Sequence, residues 1–490
     1  MGTTIPLTPT VSSYTFAAEK GTLKLTPLNR RILDLLGDGD RLFAPYGPTI
    51  GEIRTLAVEI RDRLVRSDLS TDSPVCLCIE DKPHLLAALL ASLAGAPHFI
   101  LPHAFHPQVL RDLREAKPFR LILTDSNVEP PKGATVIRLE DCRPGDRPLW
   151  LVRPPDQPFV SLFTGGSTGK SRIWSKTAAN LFGEAFYIAH TLGVGNRDCL
   201  LSTVPPQHIY GLLYSVLLPF VAQARVLCRT CTFPREILDA LEKEKATVLV
   251  SVPIHYRALR SGDLRPFSLR LAFSSAAPLD PGDAACFLEK TGVAVTEIYG
   301  STETGGVATR ADGGKEGFWT PYACIEWKIL SERLCVRSDF ISPDLPRDAE
   351  GYFITSDRVS QVEGNLFRFL GRADHIVKIA GKRVDLEEIR ERIRRIPGVT
   401  DAFITVLPPN RTQRAEIAAL VATDLPARDL RAAIRSLEGS HGRPRRIRTV
   451  RAIPTLPNGK IDRERVERIL NAPRSPKKER ESTVNLSSPP

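Results

Sequence analysis

The stretch that most limits what this chain can fold into runs from Ser161 to Ser175. An apolar run, Phe159 to Phe163, enters it and predicts a buried strand. Gly165, Gly166 and Gly169 then interrupt the side chains. Glycine lets the backbone turn through positive φ and lets its N–H groups approach a bulky anion closely. Thr164, Ser167 and Thr168 add hydroxyls, and Lys170 and Arg172 add positive charge. A loop of this make-up suits a triphosphate. It is not a Walker A loop, whose two glycines stand five apart before the Lys; here Gly165 is only four residues before Gly169.

The surrounding pattern alternates helix and strand. Ile50 to Val65 carries Ile53, Leu56, Ala57, Ile60 and Leu64 on one helical face. Val75 to Ile79 reads as a short buried strand and Pro83 to Ala94 as a helix with proline in its first turn. His98 to Leu101, Gln108 to Ala116 and Leu121 to Thr124 continue the rhythm. A second series follows the glycine-rich loop: a helix over Thr177 to Leu192, then strands at Cys199 to Val204, Arg225 to Arg229, Thr247 to Val252 and Leu269 to Phe273. This predicts an α/β fold with doubly wound, mostly parallel sheets.

Beyond about Gly305 the strands become short and alternating (Trp327 to Leu330, Arg333 to Arg337, Tyr352 to Thr355), which predicts a small β-barrel-like subdomain. From Arg372 onward the spacing of Leu386, Ile389, Ile393 and Ile396, with strands at Ala402 to Val406 and Ile417 to Ala422, predicts a compact α+β module. The expected divisions are an N-terminal arm (1–45), a large domain (46–371), a small C-terminal domain (372–472) and a disordered Pro/Ser-rich tail (473–490).

Charge is unevenly placed. Of the 67 Lys/Arg and 56 Asp/Glu, 26 and 15 lie from Arg372 to the end, so the whole excess of +11 belongs to that part. An acidic partner docking there is the functional reading, and a plain basic surface the bland one. No aromatic–basic motif of a nucleic-acid binder accompanies it. No apolar run reaches the roughly 18–20 residues of a membrane helix, and no signal core opens the chain, so a cytoplasmic protein is expected. The nine cysteines have no disulfide-scaffold spacing, and Cys228-x-x-Cys231 lacks a second ligand pair for metal.

Further motifs follow the glycine-rich loop. Ser274-Ser275-Ala276-Ala277-Pro278 ends a buried strand with small residues, where backbone can press against a flat ring. Ile298-Tyr299-Gly300-Ser301-Thr302-Glu303-Thr304-Gly305 places a ring, hydroxyls and one carboxylate after another strand, the last a hard ligand for Mg²⁺. Asp357 follows a strand, where a carboxylate can accept both hydroxyls of a ribose. Gly371-Arg372-Ala373-Asp374 and the Gly381-Lys382-Arg383 loop come next, and Pro454 to Lys460 (Pro-Thr-Leu-Pro-Asn-Gly-Lys) ends the C-terminal module.

Together these residues resemble the adenylate-forming superfamily of acyl- and aryl-CoA ligases, luciferases and nonribosomal-peptide adenylation domains, over residues 46 to 468. The resemblance implies roles. The loop containing Thr164, Gly165, Gly166, Ser167, Thr168, Gly169 and Arg172 would hold phosphate. Its Gly165, Ser171, Arg172 and Ile173 stand where the family usually has Ser, Pro, Lys and Gly. Ser275, Ala276, Ala277, Tyr299, Gly300 and Ser301 would meet the adenosine side. Thr302 would meet the α-phosphate and Glu303 the Mg²⁺, while Asp357 and Arg372 would hold the ribose. Asp374 would be the hinge of a mobile lid, Gly381 the loop of the thiol step, and Lys460 the catalytic cation between carboxylate and α-phosphate.

Pro205-Pro206-Gln207-His208-Ile209-Tyr210-Gly211 resembles the Pro-x-x-His-x-x-Gly of acyl and aryl ligases, which puts His208, Tyr210 and Gly211 at the acyl pocket. Amino-acid-activating members usually carry Phe-Asp there, and this chain has no Asp at that point. The implied activity uses ATP and Mg²⁺ to activate a carboxylic acid as its adenylate. The acyl group then passes to CoA or to the phosphopantetheine of a separate acidic carrier protein. The readings set against it are an amino-acid adenylating enzyme and a non-catalytic nucleotide or acyl binder.

Overall fold

The structure is a computed structural model that describes residues 14–18, 21–25, 27–67, 73–142, 148–164, 172–311, 317–373, 376–379, 382–407, 416–436, 443–456 and 461–472. The expected tail, 473–490, lies outside them. The described residues form two compact units that divide after Ala373.

The first unit opens with a hairpin, Tyr14–Ala18 with Gly21–Leu25, and the helix Pro27–Leu35. The stretch from Pro27 is not a loose arm. Ile32, Leu36 and Phe43 are buried in the main core, and Asn29 Nδ2 donates to the carbonyl of Arg153 at 3.1 Å. Helix Ile50–Val65 starts at a capping box, in which Thr49 Oγ1 accepts from the Glu52 N–H and Glu52 Oε2 accepts from the Thr49 N–H.

A six-stranded sheet runs in the order Thr135–Arg138, Leu121–Thr124, Val75–Cys78, Phe99–Leu101, Pro158–Thr164, Arg172–Thr177. All neighbours are parallel except the last pair. Val75 and Leu77 face the core shared with helices Ile50–Val65 and Lys82–Leu93, while Cys76 and Cys78 face a second cluster with Leu110 and Leu113. A strand covered on both faces reads as a continuous apolar run, which is why Val75-Cys-Leu-Cys shows no alternation.

A second sheet has eleven strands. Five parallel strands come first: Arg225–Val226, Cys199–Ser202, Val248–Ser251, Leu271–Ser274 and Val295–Ser301. Gly305–Arg310, Phe318–Pro321, Leu366–Arg372, Phe353–Val362, Arg333–Arg337 and Glu326–Leu330 then continue it antiparallel. The expected barrel-like subdomain is therefore an extension of this sheet. Its ladder ends at Glu326–Leu330, and among the described residues no pairing closes it into a barrel. The chain reverses direction at Ser301 to Gly305, so the turn carrying Thr302 and Glu303 sits where the parallel and antiparallel halves meet.

The second unit has a three-stranded sheet, Val399–Leu407, Glu416–Thr423 and Arg446–Val450. Helices Leu386–Arg394 and Ala427–Ser436 pack on one face and Arg463–Asn471 on the other. Among the described residues no helix is long and apolar enough to cross a membrane.

Candidate active site

The carboxyl ends of parallel strands gather loops at one edge of a sheet. Strand Leu271–Ser274 delivers Ser275, Ala276 and Ala277, and its neighbour Val295–Ser301 delivers Tyr299, Gly300 and Ser301. The two loops are tied together where Ser275 Oγ donates to the Ile298 carbonyl at 2.9 Å. Ala276 and Ala277 are exposed, and Ala276 holds φ +74°, the left-handed region a side chain rarely adopts.

A bulge between Tyr299 and Gly300 redirects this strand into its partner. Gly300 is held there by sterics: a Cβ would collide with the Gly305 carbonyl oxygen and stand 2.9 Å from Gly306 Cα. The Ser301–Thr304 turn is locked by paired hydroxyls, Ser301 Oγ and Thr304 Oγ1 lying 2.9 Å apart. Each hydroxyl also accepts from the other residue's N–H. Thr302 is buried and Glu303 half-buried.

Tyr299, Gly300, Ser301, Glu303, Asp357 and Arg372 line one cavity. Asp357 and Arg372 face each other across neighbouring strands, and Arg372 Nη1 stands 3.4 Å from Asp357 Oδ1. The Tyr299 hydroxyl donates to the other oxygen of Asp357. Its ring packs against Trp319 and Phe367, with centroids at 5.3 and 5.6 Å. Burial first, then the Asp357 charge, pushes the Tyr299 phenol well above its ordinary pKa, so it remains a donor. Asp357 is thus a carboxylate held in place from both sides at the cavity wall.

At the glycine-rich loop, Thr164 and Arg172 lie opposite each other in register at the ends of paired strands. Arg172 is exposed. Gly165, Gly166, Ser167, Thr168 and Gly169 lie outside the described residues, as do Asp374, Gly381 and Lys460.

His208 precedes the short helix Ile209–Leu212, its carbonyl accepting from Leu212 N at 2.7 Å. Gly211 is required by a close approach, since a Cβ there would run into the Pro205 carbonyl. The helix continues through a π-helical turn, Leu213–Leu217. Tyr210, Tyr214 and Phe273 pack in sequence with tilted rings, their centroids 5.0 and 5.4 Å apart. Tyr214 Oη lies 3.5 Å from Tyr322 Oη. Burial pushes the Tyr210 and Tyr214 phenols well up. All three rings are buried in the core, and both hydroxyls stay protonated.

Three residues at the site escaped the sequence reading: Lys176, Glu184 and Tyr322. Lys176 has no exposed surface and donates to the Phe340 carbonyl at 2.9 Å and the Glu303 carbonyl at 3.4 Å. Glu184 accepts from the Gly306 N–H at 2.7 Å. Burial pulls Lys176 down to about 8 and pushes Glu184 up to about 7, each offset by attraction to the other. The available signal was a Lys near the end of a strand and a Glu on the apolar face of helix Ala178–Thr191, neither of which names its partner in isolation.

The donor set fits a nucleotide with its cation. Mg²⁺ takes one or two carboxylates and fills its other positions with phosphate and water. Glu303 supplies one carboxylate at the cavity, with no hydrogen bond or ion pair to it among the described residues. Among the described residues, no group of three or more His, Cys, Asp or Glu is placed to cage a metal without such help.

Residues 46–339 match the AMP-binding enzyme family. Sulfoacetate–CoA ligase of Cupriavidus necator is 26% identical over 339 residues, covering 63% of this chain and 66% of that protein, just under two thirds of its length. Anthranilate–CoA ligase of Pseudomonas aeruginosa is 26% identical over 485 residues, covering 87% of this chain and 92% of that protein. The crystal structure of ATP-bound MatB from Rhodopseudomonas palustris superposes with a TM-score of 0.76 at 21% identity, covering 90% of this chain and 98% of that one. Matched over more than half its length, the chain belongs to the AMP-binding, adenylate-forming enzyme family.

Proposed function

We propose that the protein is an ATP- and Mg²⁺-dependent acid–thiol ligase, acting in the cytoplasm on an acyl or aryl carboxylic acid. The observation that carries this reading is the cavity at which Asp357, Arg372 and Glu303 meet beside the Ser275–Ala277 turn. In the first step an oxygen of the acid attacks the α-phosphorus of ATP, the bond to pyrophosphate breaks, and the acyl-adenylate forms. In the second a thiol attacks the acyl carbonyl and AMP departs. Two anions must first be held together, so placement and fixed positive charge account for most of what the protein contributes.

In this reading Asp357 accepts the ribose hydroxyls and Arg372 orients the Asp357 carboxylate. The Ser275, Ala276 and Ala277 backbone and the Tyr299–Gly300–Ser301 segment flank the adenine. Thr302 donates to the α-phosphate. Thr164, Arg172 and the glycine loop between them hold the outer phosphates. Mg²⁺, held by Glu303, would offset the charge of the phosphates. Lys460 bridges the acid's carboxylate and the α-phosphate, and His208 stands beside that carboxylate. Asp374 acts as the hinge and the Gly381 loop serves the thiol step.

The rings of Tyr210 and Tyr214, packed on each other just after His208 in the chain, suit an aryl or unsaturated acid, and His208 in place of an Asp disfavours an amino acid. The acceptor is CoA or the phosphopantetheine of a separate acidic carrier protein. Arg435, Arg451 and Arg465 of the C-terminal unit are exposed and suit either anionic partner.

The test is carboxylate-dependent ATP–pyrophosphate exchange on a panel of aryl, fatty and amino acids, with Lys460→Ala and Asp357→Ala beside the parent. Exchange with one acid class, lost in both variants, supports the reading; tight ATP binding without exchange on any acid supports a binding protein instead.

A further inference from the structure

The Glu303 turn is held by two buried ionisable side chains, Lys176 and Glu184, from the strand and helix that follow the glycine-rich loop. Lys176 lies on strand Arg172–Thr177, four residues past the arginine that closes the glycine-rich loop. Its ammonium donates to the carbonyl of Glu303 itself, and Ser342 N donates to the same oxygen at 2.8 Å. Glu184, on helix Ala178–Thr191, takes the Gly306 N–H at the far end of the turn. Its other oxygen lies 2.5 Å from where a Cβ on Gly305 would stand, so the glycine pair lets the carboxylate reach the backbone.

The segment that Lys176 also grips is fixed independently. Asn180 Nδ2 donates to the carbonyls of Asp339 at 2.6 Å and Ile341 at 3.2 Å. Asp344 accepts from Ser175 N at 2.8 Å. Buried ionisable side chains add little net stability over well-packed apolar ones. Their distinct effect is directional, because a carbonyl and an amide of the turn are each held by a buried side chain along a fixed line.

We infer that Lys176, together with Glu184, is a positioning residue for Glu303: the pair fixes the turn so that the Glu303 carboxylate meets the divalent cation accompanying ATP. It also joins that turn mechanically to the strand leaving the phosphate loop. The inference rests on the proposed reading of Glu303 as the cation's ligand.

The test is calorimetric binding of ATP to the full chain, titrated with Mg²⁺ and repeated in EDTA, which needs no knowledge of the acid. Glu303→Gln, Lys176→Met and the double variant Lys176→Met/Glu184→Gln are compared with the parent. The double variant leaves no unpaired buried charge, and the amide oxygen that replaces the Glu184 carboxylate can still accept from the Gly306 N–H. It therefore stands in should Lys176→Met fail to fold. Groups that orient a metal ligand typically change metal affinity by about 10–100-fold. The expected result is a rise of about tenfold in the Mg²⁺ needed for half of the effect on ATP binding, with affinity in EDTA within about twofold of the parent. A double variant with the parent's Mg²⁺ requirement, beside an altered Glu303→Gln, overturns the inference alone. An unaltered Glu303→Gln overturns the reading of Glu303 and the inference with it.

Discussion

The Tyr299 hydroxyl donates to Asp357 while its ring stays wedged between Trp319 and Phe367, so one side chain both packs the sheet and aims a carboxylate. These two effects separate by mutation. Tyr299→Phe keeps the ring and releases one Asp357 oxygen, and should alter the KM for ATP no more than a few-fold. Asp357→Ala removes the acceptor altogether. Hydrogen bonds to a charged group contribute about 1.5–3 kcal/mol, so KM for ATP should rise at least tenfold, and the melting temperature should fall because the Tyr299 hydroxyl loses its acceptor. Equal effects of the two substitutions in ATP–pyrophosphate exchange would mean that Asp357 acts only through Tyr299.

Two glycines in the same region should respond in opposite ways to alanine. At Gly300 a Cβ meets backbone, the Gly305 carbonyl and Gly306 Cα, which cannot move without opening the bulge. Gly300→Ala should cost about 1–3 kcal/mol and abolish exchange. At Gly183, inside helix Ala178–Thr191, a Cβ meets nothing within 4 Å. Gly183→Ala should stabilise by about 0.5–1 kcal/mol through the lower entropy of the unfolded chain. Thermal melts of the two variants beside the parent decide both points.

Much of this architecture could be read before any coordinates. Ile50–Val65 declares itself through its apolar stripe, and Val75–Cys78 through an unbroken apolar run. The small helix Pro27–Leu35 was not legible, because Arg30 and Arg31 interrupt a face less than three turns long. Strand Gly305–Arg310 was missed because glycine and arginine carry little strand signal, and Phe318–Pro321 because it is only four residues long and pairs with a partner far along the chain. At the site, motif spacing pointed to Tyr299, Asp357 and Arg372. That Tyr299 lies against Trp319 follows from a strand the pattern did not reveal, and Lys176 and Glu184 explain each other only once folding brings them together.

Two histidines, His98 half-buried and His255 buried, predict acid sensitivity. His98 Nε2 lies 2.8 Å from Ser161 Oγ and His255 Nδ1 2.7 Å from Thr203 Oγ1, and burial pulls both rings down to about 4. With the folded value depressed, the unfolded chain binds more protons below its ordinary pKa near 6.5, so stability falls as pH drops from about 6.5 toward 4. Between pH 7 and 5 each ring should cost roughly 1–2 kcal/mol. His255→Asn should therefore shrink the drop in urea midpoint between these two pH values, and an unchanged drop would show that His255 is protonated in the fold.

Lys460 allows the two half-reactions to be separated. If its amine neutralises the approach of carboxylate to α-phosphate, it matters to adenylate formation and not to attack of a thiol on an adenylate already made. Lys460→Ala should then lose ATP–pyrophosphate exchange by about 10²–10³-fold, the usual effect of deleting a charge aimed at a transition state. Thioester formation from a chemically supplied acyl-adenylate should stay within a few-fold of the parent. Because the two assays use the same protein preparation, misfolding would depress both together. Loss confined to exchange assigns the lysine to the first step, whereas equal loss in both would argue against a C-terminal unit that takes different positions for the two reactions.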